Sequence, residues 1–148
     1  MGETDRNRRI NLKAVVILVL ILGGLGAGLA VGYKVRKRIV ADRILAAGMA
    51  ALERQDWSEA CEQLRQYLLK YPDEENILLR YAEANMSCQP RRPEHISAAI
   101  GGYRRYLRNQ PGNEHASNEL ARLYFAVGNH VDCAYIARQR LQYAPDDI

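Results

Sequence analysis

The side chains with the most chemical reach in this chain are three cysteines, Cys61, Cys88 and Cys133, and three histidines, His95, His115 and His130. Thiolates grouped with imidazoles would hold zinc, and one activated thiol beside a histidine would serve as a nucleophile. Neither pattern is met. There is no Cys-x-x-Cys pair, no histidine stands at ligand or triad spacing from a cysteine or carboxylate, and an odd number of cysteines at irregular intervals makes no disulfide framework. Cys133 falls at a small packing position, where a buried cysteine behaves as a small hydrophobe. Cys88 lies in an exposed-looking insertion and is the one cysteine with a case for reactivity. Asp73-Glu74-Glu75 precedes a helix, where negative charge favours the positive end of the dipole, so it reads as capping. Gly-rich phosphate loops, nucleophile elbows and paired-carboxylate signatures are also missing. The chain is therefore expected to be no enzyme, with no catalytic, cofactor-binding or metal-binding residues and no cofactor.

The elements that carry these residues read as helices. Nine tyrosines but only one Phe and one Trp, with five prolines outside the long apolar runs, suit helices better than packed strands. The 148 residues leave room for about one domain. The net charge of +4 divides unevenly: residues 1–40 hold eight Lys/Arg against two acids, leaving thirteen against fifteen, or −2, for residues 41–148. A folded part of that sign has no footprint for a phosphate backbone, so no nucleic acid is expected as a partner.

Ala14 to Tyr33 is a run of twenty residues without a charge, closed by Lys13 and Lys34. As a helix it would be about 30 Å long, the thickness of a bilayer's hydrocarbon core, so a single-pass transmembrane helix is expected at 14–33. It separates a basic tail at 1–13 from a basic juxtamembrane segment at 34–40. A cleaved signal with its site at Gly28-Leu29-Ala30 is the alternative, but its apolar region would be longer than such segments usually are. Basic residues flank both ends nearly equally, so the positive-inside rule leaves the orientation open. An uncleaved signal-anchor would place the repeats on the non-cytoplasmic side, whereas unpaired cysteines and the basic cluster after the span pull the other way; the first is the expectation carried forward. Gly24, Gly28 and Gly32 fall on one helix face at four-residue spacing, which would let a second copy approach closely, although glycine is also simply frequent in membrane helices.

Beyond Ile39 the pattern becomes amphipathic and repeats. YLLKYPDEE from Tyr67, YLRNQPGNE from Tyr106 and RLQYAPDD from Arg140 superimpose on their prolines. Twelve residues before Pro72, Pro111 and Pro145 stand Ala60, Ala99 and Cys133; eight before them stand Leu64, Tyr103 and Ala137. Helices cross closely only where side chains are small, so Gly48 is expected to face Ala60, and Ala121 to face Cys133, with Leu64, Tyr103 and Tyr124 filling the space between hairpins. This pattern resembles the tetratricopeptide repeat (TPR) family, whose unit of about 34 residues is a pair of antiparallel helices stacked on its neighbours. The 34 residues from Pro111 to Pro145 match that period, and the best matches are Gly48, Trp57, Ala60, Leu64 and Pro72, then Leu120, Ala121, Tyr124, Gly128 and Pro145. Pro72 to Pro111 spans 39, with the excess at MSCQPRRPEHIS, and Tyr67, Tyr106 and Arg140 stand where the family usually has alanine.

The expected fold is all-α: a transmembrane helix, then an α-solenoid of about three helix-turn-helix units over 41–148. The units are about 41–74, 75–113 with an insertion at 87–93, and 114–148. Helices are expected over Val40–Glu53, Trp57–Tyr71, Asn76–Ser87, Pro93–Asn109, Glu114–Val127 and His130–Tyr143.

The resemblance implies that the first helix of each unit lines a concave face. That face would carry Leu45, Met49 and Leu52, then Leu79, Glu83 and Met86, then Asn118, Arg122 and Phe125. The expected function is a membrane-anchored scaffold that binds a protein or peptide there. The alternatives are a self-associating assembly component, with the transmembrane helix joining copies, or the front of a longer protein with activity further on. The last helix carries Val131, Ala134, Tyr135, Ile136, Ala137 and Leu141, more apolar surface than one hairpin covers, so either further repeats or a partner is expected against it.

Overall fold

In the computed structural model the described residues are 33 and 35–143. All of the expected span except Tyr33, with Gly24, Gly28 and Gly32, lies outside them, as do the basic tail and Pro145. Among the described residues no helix is long and apolar enough to cross a membrane. The chain divides into two units, Met1–Val40 and Ala41–Ile148; in the first, the described residues are helical.

Six helices and no strand occur among the described residues: α1 at 35–53, α2 at Trp57–Leu68, α3 at Glu75–Ser87, α4 at Pro93–Asn109, α5 at Glu114–Ala126 and α6 at His130–Tyr143. Each from α2 onward packs on the next in sequence, and the nearest atoms to Gly48 place α1 against α2. The result is a repeat-like helical fold with cores between neighbours.

Two turns use one device. At the end of α1, Gln55 takes φ +60°, and the Asp56 and Gln55 amides donate to the carbonyls of Ala51 and Leu52. At the end of α5, Gly128 takes φ +76°, and the Asn129 and Gly128 amides donate to the carbonyls of Tyr124 and Phe125. Both are Schellman caps, which satisfy the last carbonyls of a helix through one left-handed residue. The next residue then caps the following helix: the Glu59 amide donates to Asp56 Oδ1 and the Asp132 amide to Asn129 Oδ1. Glycine holds the left-handed position without cost at one turn, and glutamine strains it at the other. Gln55→Gly is therefore expected to stabilise the protein by about 0.5 kcal/mol, the relief of strain outweighing glycine's added freedom in the unfolded chain. The urea midpoint measures it; a lower midpoint would contradict this reading of the turn.

The hairpin ends follow from the prolines. α2 stops at Leu68, three residues short of the expected Tyr71, because the residue before Pro72 is pushed out of helical geometry; Tyr71 instead tilts against Tyr67, ring centroids 5.1 Å apart. Pro93 occupies the first turn of α4, where its missing N–H costs nothing. The insertion before it contains a cis Gln89-Pro90 bond, and the Arg91 guanidinium donates to the Met86 carbonyl.

The small-residue contacts differ from those expected. Gly48 approaches Leu64 and Gln63, a Cβ there meeting Leu64 Cδ2 at 3.0 Å, while Ala60 joins Ala51 and Ala84 in a cluster flanked by Trp57 and Cys61. Gly102 makes a close approach of α4 to α3, a Cβ there meeting Ala82 Cβ at 3.0 Å, while Ala99 is fully buried. The largest fully buried side chains are Leu64, Leu78, Tyr103 and Leu120, one from each of α2 to α5. Tyr67 and Tyr106, where the family has alanine, are buried, and the Tyr106 hydroxyl accepts from Asn113 Nδ2 at 3.0 Å. Arg140, at the third such position, pairs with Glu114 at 3.1 Å.

Candidate interaction surface

The nine residues expected on one binding face do not stay together. Leu45, Leu52, Leu79 and Met86 are partly buried and pack against the core. Their helical spacing, read as a binding stripe, is here the inward edge of an amphipathic helix, because an apolar residue beside the core is covered by its own neighbours. Met49 is exposed on α1.

The remaining four form a surface. On α3, Glu83 is held by Arg80 at 3.3 Å and lies 3.6 Å from His115 Nε2 on α5, one carboxylate joining two hairpins. His115 shares a shallow depression of about 400 Å³ with Asn118 and Arg122, lined also by Glu114 and Glu119. Arg122 donates to Glu119 at 2.9 Å. One turn further on, Phe125 is 67% exposed and meets His130 edge-on, centroids 5.5 Å apart. Glu83, Asn118 and Arg122 are thus brought together through His115, a residue not among the nine expected on the face. Its signal was present: Glu114, His115, Asn118, Glu119 and Arg122 recur at helical spacing on α5.

A second groove, unforeseen from the sequence, has a volume of about 510 Å³ and lies between α4, α5 and α6, with Arg104, Arg108, Tyr124, Asp132, Tyr135 and Gln139 among its lining. Arg105 at its edge bonds the Pro72 carbonyl and approaches Asp73 at 3.9 Å. Its residues come from two units, so no single periodicity reveals it.

The cysteines require a correction. Cys88 is 4% exposed, and its Sγ lies 3.4 Å from that of Cys61. The insertion is exposed at 89–93, but Cys88 within it turns inward, since it is the cap at which α3 ends. Cys133 is half-buried and packs against the core. Among the described residues no group of three or more His, Cys, Asp or Glu could hold a metal ion.

Burial pushes the Cys61 thiol and the Tyr81, Tyr103 and Tyr124 phenols above their ordinary values, with Glu83 and Glu119 adding to the effect at Tyr103. The folded chain therefore retains protons that the unfolded chain releases above the ordinary values of 9.0 for a thiol and 10.0 for a phenol. Stability from these groups is fully present below that range and is lost as pH rises through it toward the folded-state values. Urea midpoints are expected to be level from about pH 7 to 8.5 and to fall above about pH 9. Tyr103→Phe should make the fall shallower; an unchanged slope would remove Tyr103 from this account.

No protein-family model matches the chain, and no curated protein matches it.

Proposed function

We propose that this chain is a membrane-anchored scaffold with TPR-like repeats, which binds a protein or peptide partner on the face formed by α1, α3 and α5 and performs no catalysis itself. The observation that supports it most is the joined surface of Glu83, His115, Asn118 and Arg122 running to the exposed Phe125. Exposed aromatic and arginine side chains are typical anchors of protein interfaces, and a polar rim fixes register. A partner helix or extended segment carrying both an apolar residue for Phe125 and charges of either sign for Arg122 and Glu83 would fit. The 34-residue period from Pro111 to Pro145 in the sequence and the paired Schellman turns support the TPR-like reading. The uncharged run at 14–33 supports the anchor, with the repeats on the non-cytoplasmic side.

A photo-crosslinking amino acid placed at Asn118 in native membranes should give an adduct of defined mass, lost when Arg122→Glu and Phe125→Asp are combined. The same probe at Lys70 should give none. Equal labelling at both positions would contradict a dedicated face.

One observation favours self-association as a second reading. Val131 is 81% and Tyr135 62% exposed on α6, beside half-exposed Leu141 and Tyr143, an apolar surface of the kind that marks contact sites. Adducts of two copies of the chain, weakened by Gly28→Leu or by Tyr135→Glu, would select it over the scaffold.

A further inference from the structure

Cys61 lies on the second turn of α2 and Cys88 caps α3, so their side chains meet across the junction of the first two hairpins. The sulfur atoms are 3.4 Å apart, within reach of a weak S–H···S hydrogen bond. A buried thiol beside a half-buried one is, by itself, no more than a pair of small hydrophobes. Three features argue for more. The sulfurs face each other directly, whereas Cys133 has no cysteine near it. Both thiols border a depression of about 600 Å³ with Ser58, Arg65, Tyr81 and His95, so a small reagent has a way in. Cys88 also belongs to the inserted segment, whose residues 89–92 are exposed and belong to no helix, so a bond here would tie that segment to α2.

We propose that Cys61 and Cys88 are a built cross-linking site, which a small-molecule or protein disulfide converts to an intramolecular disulfide joining α2 to the end of α3. One protein thiol loses its proton and attacks the oxidant's disulfide, releasing one thiol and forming a mixed disulfide. The second protein thiolate then attacks the protein sulfur of that mixed disulfide, forming the Cys61–Cys88 bond and releasing the second thiol. The two protein thiols are oxidised, the oxidant's one disulfide is reduced to two thiols, and the two protons lost by the protein are taken up by the leaving thiolates. Closing from 3.4 Å to a bond of about 2.05 Å asks the two sulfurs to approach by little more than about 1 Å. Burial of the Cys61 thiol holds it protonated, so the exchange accelerates as pH rises.

The experiment uses the full chain in mild detergent at about pH 8.5, within the range where thiol–disulfide exchange proceeds, equilibrated with equal concentrations of reduced and oxidised glutathione. Remaining thiols are then alkylated, and intact mass and peptides are read by mass spectrometry. The expected product is two hydrogens lighter at Cys61 and Cys88, with a linked peptide between them and Cys133 alkylated or glutathionylated. Cys133→Ser should leave the link intact, and Cys61→Ser should free Cys88 for a single modification. The linked protein should unfold at a higher urea concentration than the same sample after reduction. Recovery of Cys61 and Cys88 as separately alkylated or glutathionylated residues would overturn the proposal. So would a linked form with an equal or lower urea midpoint, because the bond would then distort the fold instead of belonging to it.

Discussion

Tyr103→Ala is expected to destabilise the chain by about 3–5 kcal/mol, the cost of deleting a buried aromatic ring and leaving a cavity. Tyr103 is 2% exposed and is the largest of the fully buried side chains. It stands on α4, which packs on both α3 and α5, so the hole opens at the junction of two hairpins with few atoms free to fill it. Its phenol feels Glu83 and Glu119, which places the loss beneath the candidate surface as well as within the core. Tyr103→Phe keeps the ring and should cost less than about 1.5 kcal/mol, the ordinary range for a volume-conserving change. Urea unfolding followed by circular dichroism in mild detergent measures both. A Tyr103→Ala protein within about 1 kcal/mol of the parent would mean that the second and third hairpins do not share this core.

One residue earlier, an increase in volume should do comparable damage. A Cβ on Gly102 would lie 3.0 Å from Ala82 Cβ and 3.2 Å from the Leu78 carbonyl oxygen. A flexible side chain could yield, but a carbonyl inside α3 cannot move without breaking helical geometry. Gly102→Leu is expected to cost about 3 kcal/mol, at the upper end for overpacking, by forcing α4 off α3. Gly101 is the internal control, because a Cβ there meets nothing within 4 Å. Gly101→Ala should stabilise the helix by about 0.5–1 kcal/mol, since alanine removes glycine's excess freedom without a contact penalty. Opposite signs at adjacent glycines would establish which one the helices cross on; equal effects would refute the contact.

The difference between these two glycines was not legible in the chain. Gly101 and Gly102 read alike, and the proline-aligned pattern pointed to Ala99 as the crossing residue. A helix rotates by about 100° per residue, so the choice among positions three apart depends on how far each helix is turned about its axis, and that angle is set by what it packs against. The same rotation placed Leu64 rather than Ala60 against Gly48. It also turned Leu45, Leu52, Leu79 and Met86 toward the core, leaving Glu83, Asn118, Arg122 and Phe125 to make the surface.

What the amino-acid sequence determined by itself was local: helical period, turn chemistry and stop signals. Pro93 starts α4, Asp56, Asn113 and Asn129 cap the helices that follow them, and the apolar spacing is helical throughout 41–143, all within a few residues of one another in the chain. The meeting of Cys61 with Cys88, 27 residues apart, and of Glu83 with His115 was decided only by tertiary structure. Neither pair has a local spacing that marks it. Each is produced when one hairpin docks on the next, and the insertion at 87–93 sets where that docking carries the chain.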